Sequence, residues 1–448
     1  MMVAEKDSTA ASYDVDYAVV GLGETGRSCV AYLKALDASL LAFDADQSPS
    51  RLAEIRENLS DDDIKLGPFD IAQLSRARSI VLSPGVPLSL PVVQQLLEAG
   101  HEVIGDVELF ARAAGAPIVA VTGTNGKSTV TSMIDRVLSE NGFEIATGGN
   151  LGVPALDLLS GAPPDYYLLE LSSFQLDLQR SLAPRVACIL NISPDHLDRH
   201  GSFENYRAAK ARIFDHAESR VVNADDTQLA SFQEGAITFS LEGVNGADVS
   251  VEDQQIVHNS TVVAHCNDVA VSGTHNLANA LAAVAVCRTL GCSTSAIRRG
   301  LAGFQGLPHR CEFVAEIGKV RFINDSKGTN PSASAMAVNG ELANDSGVLI
   351  AGGRGKDLDF APLVRAIIEH VHTVILIGEA AVEIDKEIDG RVSTIRVANL
   401  SEAVRSAFAA ARATDTVLLS PGCASFDQFS NYIERGNKFR ECVGELKR

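Results

Sequence analysis

Two glycine-rich stretches carry the residue types that handle phosphate. The run Val119-Ala120-Val121-Thr122-Gly123-Thr124-Asn125-Gly126-Lys127-Ser128-Thr129 reads as a strand, a tight turn, then a lysine and hydroxyls leading into a helix over Val130–Ser139. Backbone N–H groups of such a turn wrap phosphate oxygens; Lys127 would hold the β- and γ-phosphates, and the Ser128 hydroxyl could reach Mg²⁺. Val121 stands where the common GxxxxGK pattern has glycine, so the loop is a variant. The second stretch, Gly21-Leu22-Gly23-Glu24-Thr25-Gly26, follows the strand Tyr17–Val20 and opens a helix at about Arg27. Its glycines allow a tight turn, and the helix N-terminus offers N–H groups to a diphosphate. Asp44 ends the next strand, where a dinucleotide fold places its ribose-binding acid. Taken alone, this loop reads as an NAD site. A dehydrogenase has no use for an ATP loop, and a motor ATPase has little use for a dinucleotide fold. An ATP-dependent ligase acting on a nucleotide-linked substrate uses both.

Loops of this kind need parallel sheets to hold them. Short apolar runs occur at Tyr17–Val20, Ser39–Phe43, Ser79–Leu82, Ile118–Thr122, Tyr166–Leu171, Ala187–Asn191, Val348–Ala351, Val374–Ile377 and Val417–Ser420. Most lead through turn residues into an amphipathic segment. That alternation predicts an α/β protein with crossover helices. Three blocks are expected, over 1–99, 100–306 and 307–448. The acidic, less periodic stretch Leu241–Asp268 reads as a peripheral strand insertion.

Composition narrows the partners. The chain has 448 residues, with 38 Lys and Arg against 57 Asp and Glu, a formal net charge of −19. That balance argues against a nucleic-acid-coating surface. An anionic small molecule must then be met by local cations and backbone N–H groups. The 8 Cys are scattered, with Cys287 and Cys292 the closest pair and no CxxC, so zinc-finger spacing is absent and reduced thiols are expected. Met1–Ser12 has no apolar run and reads as a frayed tail rather than a signal peptide. The most apolar helical stretch, Leu277–Val286, falls well short of the roughly 18 residues a membrane span needs. A cytoplasmic protein with no membrane partner is expected.

Several further segments resemble the Mur ligase family, and within it the D-glutamate-adding ligases. The Gly123–Thr129 loop is shared by Mur ligases and folylpolyglutamate synthases. Glu170-Leu171-Ser172-Ser173-Phe174-Gln175-Leu176, Asp195-His196-Leu197-Asp198-Arg199 and Tyr206-Arg207-Ala208-Ala209-Lys210 follow in the family's order. So do Asn324-Asp325-Ser326-Lys327-Gly328-Thr329-Asn330-Pro331 and Ser420-Pro421-Gly422-Cys423-Ala424-Ser425-Phe426-Asp427-Gln428-Phe429. The Asn324–Pro331 segment separates this chain from sister ligases and from folylpolyglutamate synthases. The resemblance implies three domains: a Rossmann-like UDP-substrate domain, a central P-loop-type ATPase and a Rossmann-like C-terminal domain for the amino acid. It implies amide synthesis: the carboxylate of UDP-N-acetylmuramoyl-L-alanine takes the γ-phosphate of ATP, and the amine of D-glutamate displaces phosphate from the acyl phosphate. Two Mg²⁺ sites and a monomer are expected.

Site residues follow from the same resemblance. Gly123, Thr124, Asn125, Gly126, Lys127, Ser128 and Thr129 would form the ATP loop, with Asn276, Arg310, Asp325 and Lys327 as further ATP contacts. Metal ligands would be Ser128, Glu170, His196 and Lys210, the last as a carbamate; Lys127, His196 and Lys210 are the catalytic candidates. On composition alone, His196 reads as a structural histidine and Lys210 as an ordinary helical lysine. Gly23, Glu24, Thr25, Asp44, Asn150 and His196 would meet the UDP substrate. Thr329, Lys356, Ser425 and Tyr432 would meet D-glutamate. Tyr432 stands where the family has Phe, Arg354 where some members have Asp, and Ala45 and Asp46 where a hydroxyl and an Arg are usual. Catalytic groups split across domains imply closure before chemistry. The competing readings are an NAD-dependent oxidoreductase, which leaves Gly123–Thr129 idle, and a nucleotide sensor without turnover.

Overall fold

A computed structural model describes residues 13–244, 246–271, 273–342, 347–355 and 358–446. The Met1–Ser12 tail and Lys356 lie outside the described residues. The chain divides into two compact units. One holds residues up to 123 together with 142–222 and 232–237; the other holds 124–141, 223–231 and 238 onward.

The first unit contains two parallel sheets. The strands Val15–Val20 (β1), Leu40–Asp44 (β2), Ile64–Leu66 (β3), Ala77–Leu82 (β4) and Glu102–Ile104 (β5) pair in the order β3-β2-β1-β4-β5. Every pairing is parallel, with Tyr17 opposite both Leu40 and Ser79. The order reverses between β1 and β4, which opens a crevice at their carboxyl ends. Val20, Phe43, Ile80 and Leu82 pack one core of this sheet with Leu74 and Leu96. Ile118–Thr122 (β6), Ile145–Gly149 (β7), Tyr166–Glu170 (β8), Val186–Ile189 (β9) and Ser219–Asn223 (β10) form the second, in the order β10-β9-β6-β8-β7. These pairings are also parallel. The order in which the chain adds strands switches sides at β6, between β8 and β9, and β6 leads into the Gly123–Thr129 loop.

The second unit carries the predicted peripheral insertion. Ile237–Phe239 (β11) leads to Val249–Glu252 (β12), Gln255–His258 (β13) and Thr261–His265 (β14), and the last three pair antiparallel. A sheet of six strands follows: Glu312–Ile317 (β15), Val320–Asn324 (β16), Gly347–Gly352 (β17), Thr373–Ile377 (β18), Ser393–Arg396 (β19) and Thr416–Leu419 (β20). Its order is β15-β16-β20-β17-β18-β19, with β15 antiparallel and the rest parallel. Alternate residues feed two cores: Leu349, Ala351, Val374 and Leu376 on one face, Val348, Ile350, Ile375 and Ile377 on the other. A strand buried on both faces reads as a continuous apolar run, which is why β17, β18 and β20 were legible.

Boundaries differ from expectation in three informative places. The first glycine-loop helix begins at Glu24, not near Arg27, and the second at Lys127, not Val130. Both loops are thus shorter than expected. Gly126, at φ 82°, ends the turn, so Lys127, Ser128 and Thr129 already sit in the first helical turn where free N–H groups point outward. β9 stops at Ile189, short of the expected Asn191.

Candidate functional site

The crevice between β1 and β4 is a cavity of about 510 Å³. Its floor is the Gly21–Thr25 loop, and one wall is the turn Ser83–Val86 that follows β4. Gly21 has φ 92°, and a Cβ there would meet Ser83 and Val86 at 2.9 Å, so only glycine lets the two turns approach. Ser83 Oγ donates to the Gly21 carbonyl at 2.6 Å, tying them together. Thr25, Asn150 and Gln175 line the same cavity, as does Asp44. Asp44 also braces the loop: its Oδ2 accepts the Leu22 N–H at 2.6 Å and its Oδ1 the Asp46 N–H at 2.9 Å. Glu24 pairs with Arg27 and with Arg51 at 2.5 Å. Arg27 also reaches Asp157, and Ser28 Oγ donates to Asp157 Oδ1 at 2.5 Å.

Glu170 ends β8 opposite Val121 of β6 and is buried. Asn150 is placed against it twice, through its Nδ2 on Glu170 Oε1 at 2.7 Å and its N–H on the Glu170 carbonyl at 2.8 Å. Lys210, 2 % exposed on the helix Phe203–Ala211, donates to the Gly123 carbonyl at 2.8 Å and lies 4.8 Å from the Tyr206 ring centre. His196 is half-exposed at φ 52°, with its ring 4.9 Å from that of Phe174. Next to it His200 is buried, and desolvation lowers its pKa to about 4, so its contact with Ser173 Oγ at 3.0 Å is that of a neutral ring. Gln175 is pinned from both ends: its Oε1 accepts from Ser172, and its Nε2 donates to Asp106 at 3.2 Å. Burial raises the Asp106 carboxyl to about 6 and leaves its Oδ1 without a partner.

In the second unit Arg310 donates to Ser128 Oγ at 2.7 Å, and Lys127 Nζ folds back on the Thr124 carbonyl at 2.9 Å. In the loop before the helix Lys127–Glu140, Thr124 is buried while Asn125 and Gly126 are half-buried; Ser128 and Thr129 are buried in its first turn. Asn276 is buried near the start of the helix Thr274–Thr289. Asp325 follows β16; Ser420 Oγ donates to it at 2.7 Å, and burial raises its pKa to about 7. Lys327 and Tyr432 meet, with the ammonium 4.1 Å from the ring centre. Thr329 is half-buried, and Ser425 is buried. Sequence reasoning passed over Arg435. It is 1 % exposed and joins the two loops through Ser326 Oγ at 3.0 Å, the Ser326 carbonyl at 2.8 Å and the Cys423 carbonyl at 3.2 Å. Burial lowers its pKa to about 10, which leaves it charged at neutral pH.

Models of three families match consecutive parts of the chain. They are the Mur ligase MurD-like N-terminal domain at residues 15–105, the Mur ligase middle domain at 121–287, and the Mur ligase glutamate ligase domain at 309–423. A UDP-N-acetylmuramoylalanine--D-glutamate ligase of Nitrosococcus oceani is 40% identical over 435 residues, covering 96% of this chain and 96% of its own. The chain belongs to the Mur ligase family. Its fold is shared by the UDP-N-acetylmuramate-alanine ligase MurC of Thermotoga maritima, at TM-score 0.61 and 18% identity over 96% of this chain and 100% of that one. It is shared too by the Thermotoga maritima MurF ligase solved with ADP, at TM-score 0.59 and 17% identity over 97% and 96%.

The donor set of this Mur ligase suits a hard cation in part. Among the described residues no three His, Cys, Asp or Glu side chains cluster into a ready-made metal site. Mg²⁺ on a nucleotide needs few side chains, because phosphates and water complete its shell. A buried carboxylate such as Glu170 meets that demand. Lys210 does so only as an anion, since an ammonium repels a cation. The Ser83–Val86 wall was missed, although Ser-Pro-Gly follows a strand both at 83–85 and at 420–422. That repeated turn is the signal that could have found it. Among the described residues no helix is long and apolar enough to cross a membrane.

Proposed function

We propose that this Mur ligase is an ATP-dependent amide ligase that adds D-glutamate to UDP-N-acetylmuramoyl-L-alanine through an acyl phosphate, a step of peptidoglycan synthesis. One observation carries it: the same chain holds a glycine-rich strand–turn–helix loop with a lysine and a cavity lined by glycine turns, the two features that an ATP-dependent ligase of a nucleotide-linked substrate needs. The relatives supply the substrate names. Residues 1–99 bind the UDP substrate, 100–306 bind ATP, and 307–448 bind the amino acid. The protein works as a cytoplasmic monomer.

Phosphoryl transfer asks mainly for positioning and charge neutralisation. Lys127 and the N–H groups of Gly123–Thr129 neutralise and hold the β- and γ-phosphates. Arg310, Asp325, Lys327 and Asn276 orient the rest of ATP. Gly23, Thr25, Asp44 and Asn150 seat the UDP-sugar, whose carboxylate takes the γ-phosphate. Thr329, Ser425 and Tyr432, with Lys356, hold D-glutamate for attack by its amine on the acyl phosphate. Glu170, Ser128, His196 and Lys210 as a carbamate would hold Mg²⁺, which would supply charge neutralisation.

Phosphate release with ATP, Mg²⁺ and UDP-N-acetylmuramoyl-L-alanine, measured against a panel of amino acids, tests the reading. Release that depends on D-glutamate is expected. Release with L-lysine or diaminopimelate moves the chain to a sister activity, and NADH oxidation without phosphate release ends the reading. For Lys210, activity of Lys210→Ala regained with short-chain carboxylic acids supports the carbamate; no regain opposes it.

A further inference from the structure

The Asp195–Arg199 stretch holds a cation that none of these assignments uses. Arg199 lies on the short turn Leu197–His200 directly after His196. Its guanidinium donates to the carbonyl oxygens of Pro84 at 3.1 Å, Gly85 at 3.3 Å and Val86 at 2.5 Å. Those three residues wall the 510 Å³ cavity. The same guanidinium lies 4.8 Å from the centre of the Phe174 ring, against which the His196 ring also packs. A planar fork with five donors can serve several carbonyls and an aromatic face together; a lysine ammonium cannot.

The His196 turn needs such a hold. His196 and Gly201 both have positive φ, at 52° and 75°. Backbone of that kind persists because its surroundings determine it. One anchor is His200, through Ser173 Oγ and through its own carbonyl, which accepts Asn205 Nδ2 at 2.9 Å. Another is Arg199, which runs to the cavity wall.

We propose that Arg199 is a positioning residue that couples filling of the cavity to placement of His196. The inference rests on the assignment of that cavity to the UDP-sugar substrate. A ligand seated against Pro84–Val86 fixes the three carbonyls, Arg199 follows them, and the Phe174 stack carries the change to His196. Coupling of this kind is reciprocal, so disorder at His196 loosens the cavity wall in turn.

Hydrogen exchange with and without UDP-N-acetylmuramoyl-L-alanine, alongside steady-state kinetics, tests it in the wild type, Arg199→Ala and Arg199→Lys. In the wild type the ligand is expected to slow exchange at both 21–25 and 195–201. In Arg199→Ala, protection should persist at 21–25 and vanish at 195–201, while kcat falls about tenfold or more and KM for ATP stays within about twofold. Arg199→Lys should behave like the alanine variant. Protection of both segments in Arg199→Ala, or equal loss at both with a lowered melting temperature, overturns the proposal. Absence of protection at 21–25 in the wild type instead removes the cavity assignment, and the proposal with it.

Discussion

At the first glycine loop the nearest side-chain charge is spent on the protein itself: Asp44 accepts the Leu22 N–H, and Glu24 pairs with Arg27 and Arg51. At the second, Lys127 and Arg310 stand on the phosphate turn, the one on the Thr124 carbonyl and the other on Ser128 Oγ. Among the described residues, no Lys or Arg lines the 510 Å³ cavity. A diphosphate held there meets N–H groups and hydroxyls, which suits a group that must be oriented and left intact. A phosphate held at the second loop meets cations, which suits one whose charge is to be moved. In the proposed function the same strand–turn–helix plan serves recognition in one place and reaction in the other. Backbone shape decides the first and side-chain charge the second.

The largest effect should come from removing that charge. Lys127→Ala is expected to lower kcat/KM about 1,000-fold or more, while calorimetry finds UDP-substrate affinity within about twofold of wild type. Equal damage to both would erase the distinction between the loops. Gly21→Ala attacks shape. A Cβ at φ 92° against Ser83 and Val86 should raise KM for the UDP substrate by about 10- to 100-fold and leave KM for ATP unchanged.

Asp106, which orients Gln175 at the cavity, offers a pH test. Its folded pKa of about 6 lies above the ordinary 3.8, so the folded state binds this proton more tightly than the unfolded chain. Its contribution to stability is complete below about pH 4 and is lost as pH rises through 6. Asp106→Asn keeps an acceptor for Gln175 without the buried charge. It should raise the melting temperature at pH 7.5 and flatten its fall between pH 4 and 6, a gain on the order of 1–3 kcal/mol in a thermal scan. A lower melting temperature at pH 7.5 would show that the charged form is the one the fold needs. The smallest effect belongs to Glu24→Gln. Removing an exposed negative charge from the cavity mouth should lower KM for the UDP substrate about twofold at low salt, and the gain should fade near 0.5 M salt.

Much of the fold could be read because strands buried on both faces are unbroken apolar runs. Ile118–Thr122 is bounded as expected, and β17, β18 and β20 agree within a residue or so. Strands β3, β5, β7, β10, β11, β15, β16 and β19 escaped notice. Ile64–Leu66 and Glu102–Ile104 are only three residues long, and Ile145–Gly149 ends in two glycines. The pairing of these three comes from neighbours rather than from their own pattern. The antiparallel insertion was visible by its polar, aperiodic composition, though its individual strands were not.

Sequence by itself determined the loops that could take phosphate, the parallel sheets that must carry them and the family to which the motifs belong. These are local properties, written in the spacing of glycines, a lysine and apolar runs. Only the tertiary structure decided what joins distant segments: Asp44 on the Leu22 N–H, Arg435 between Ser326 and Cys423, and Arg199 on the Pro84–Val86 carbonyls. Backbone carbonyls carry no sequence signature. An arginine that recognises them looks like any other arginine until folding brings the two together.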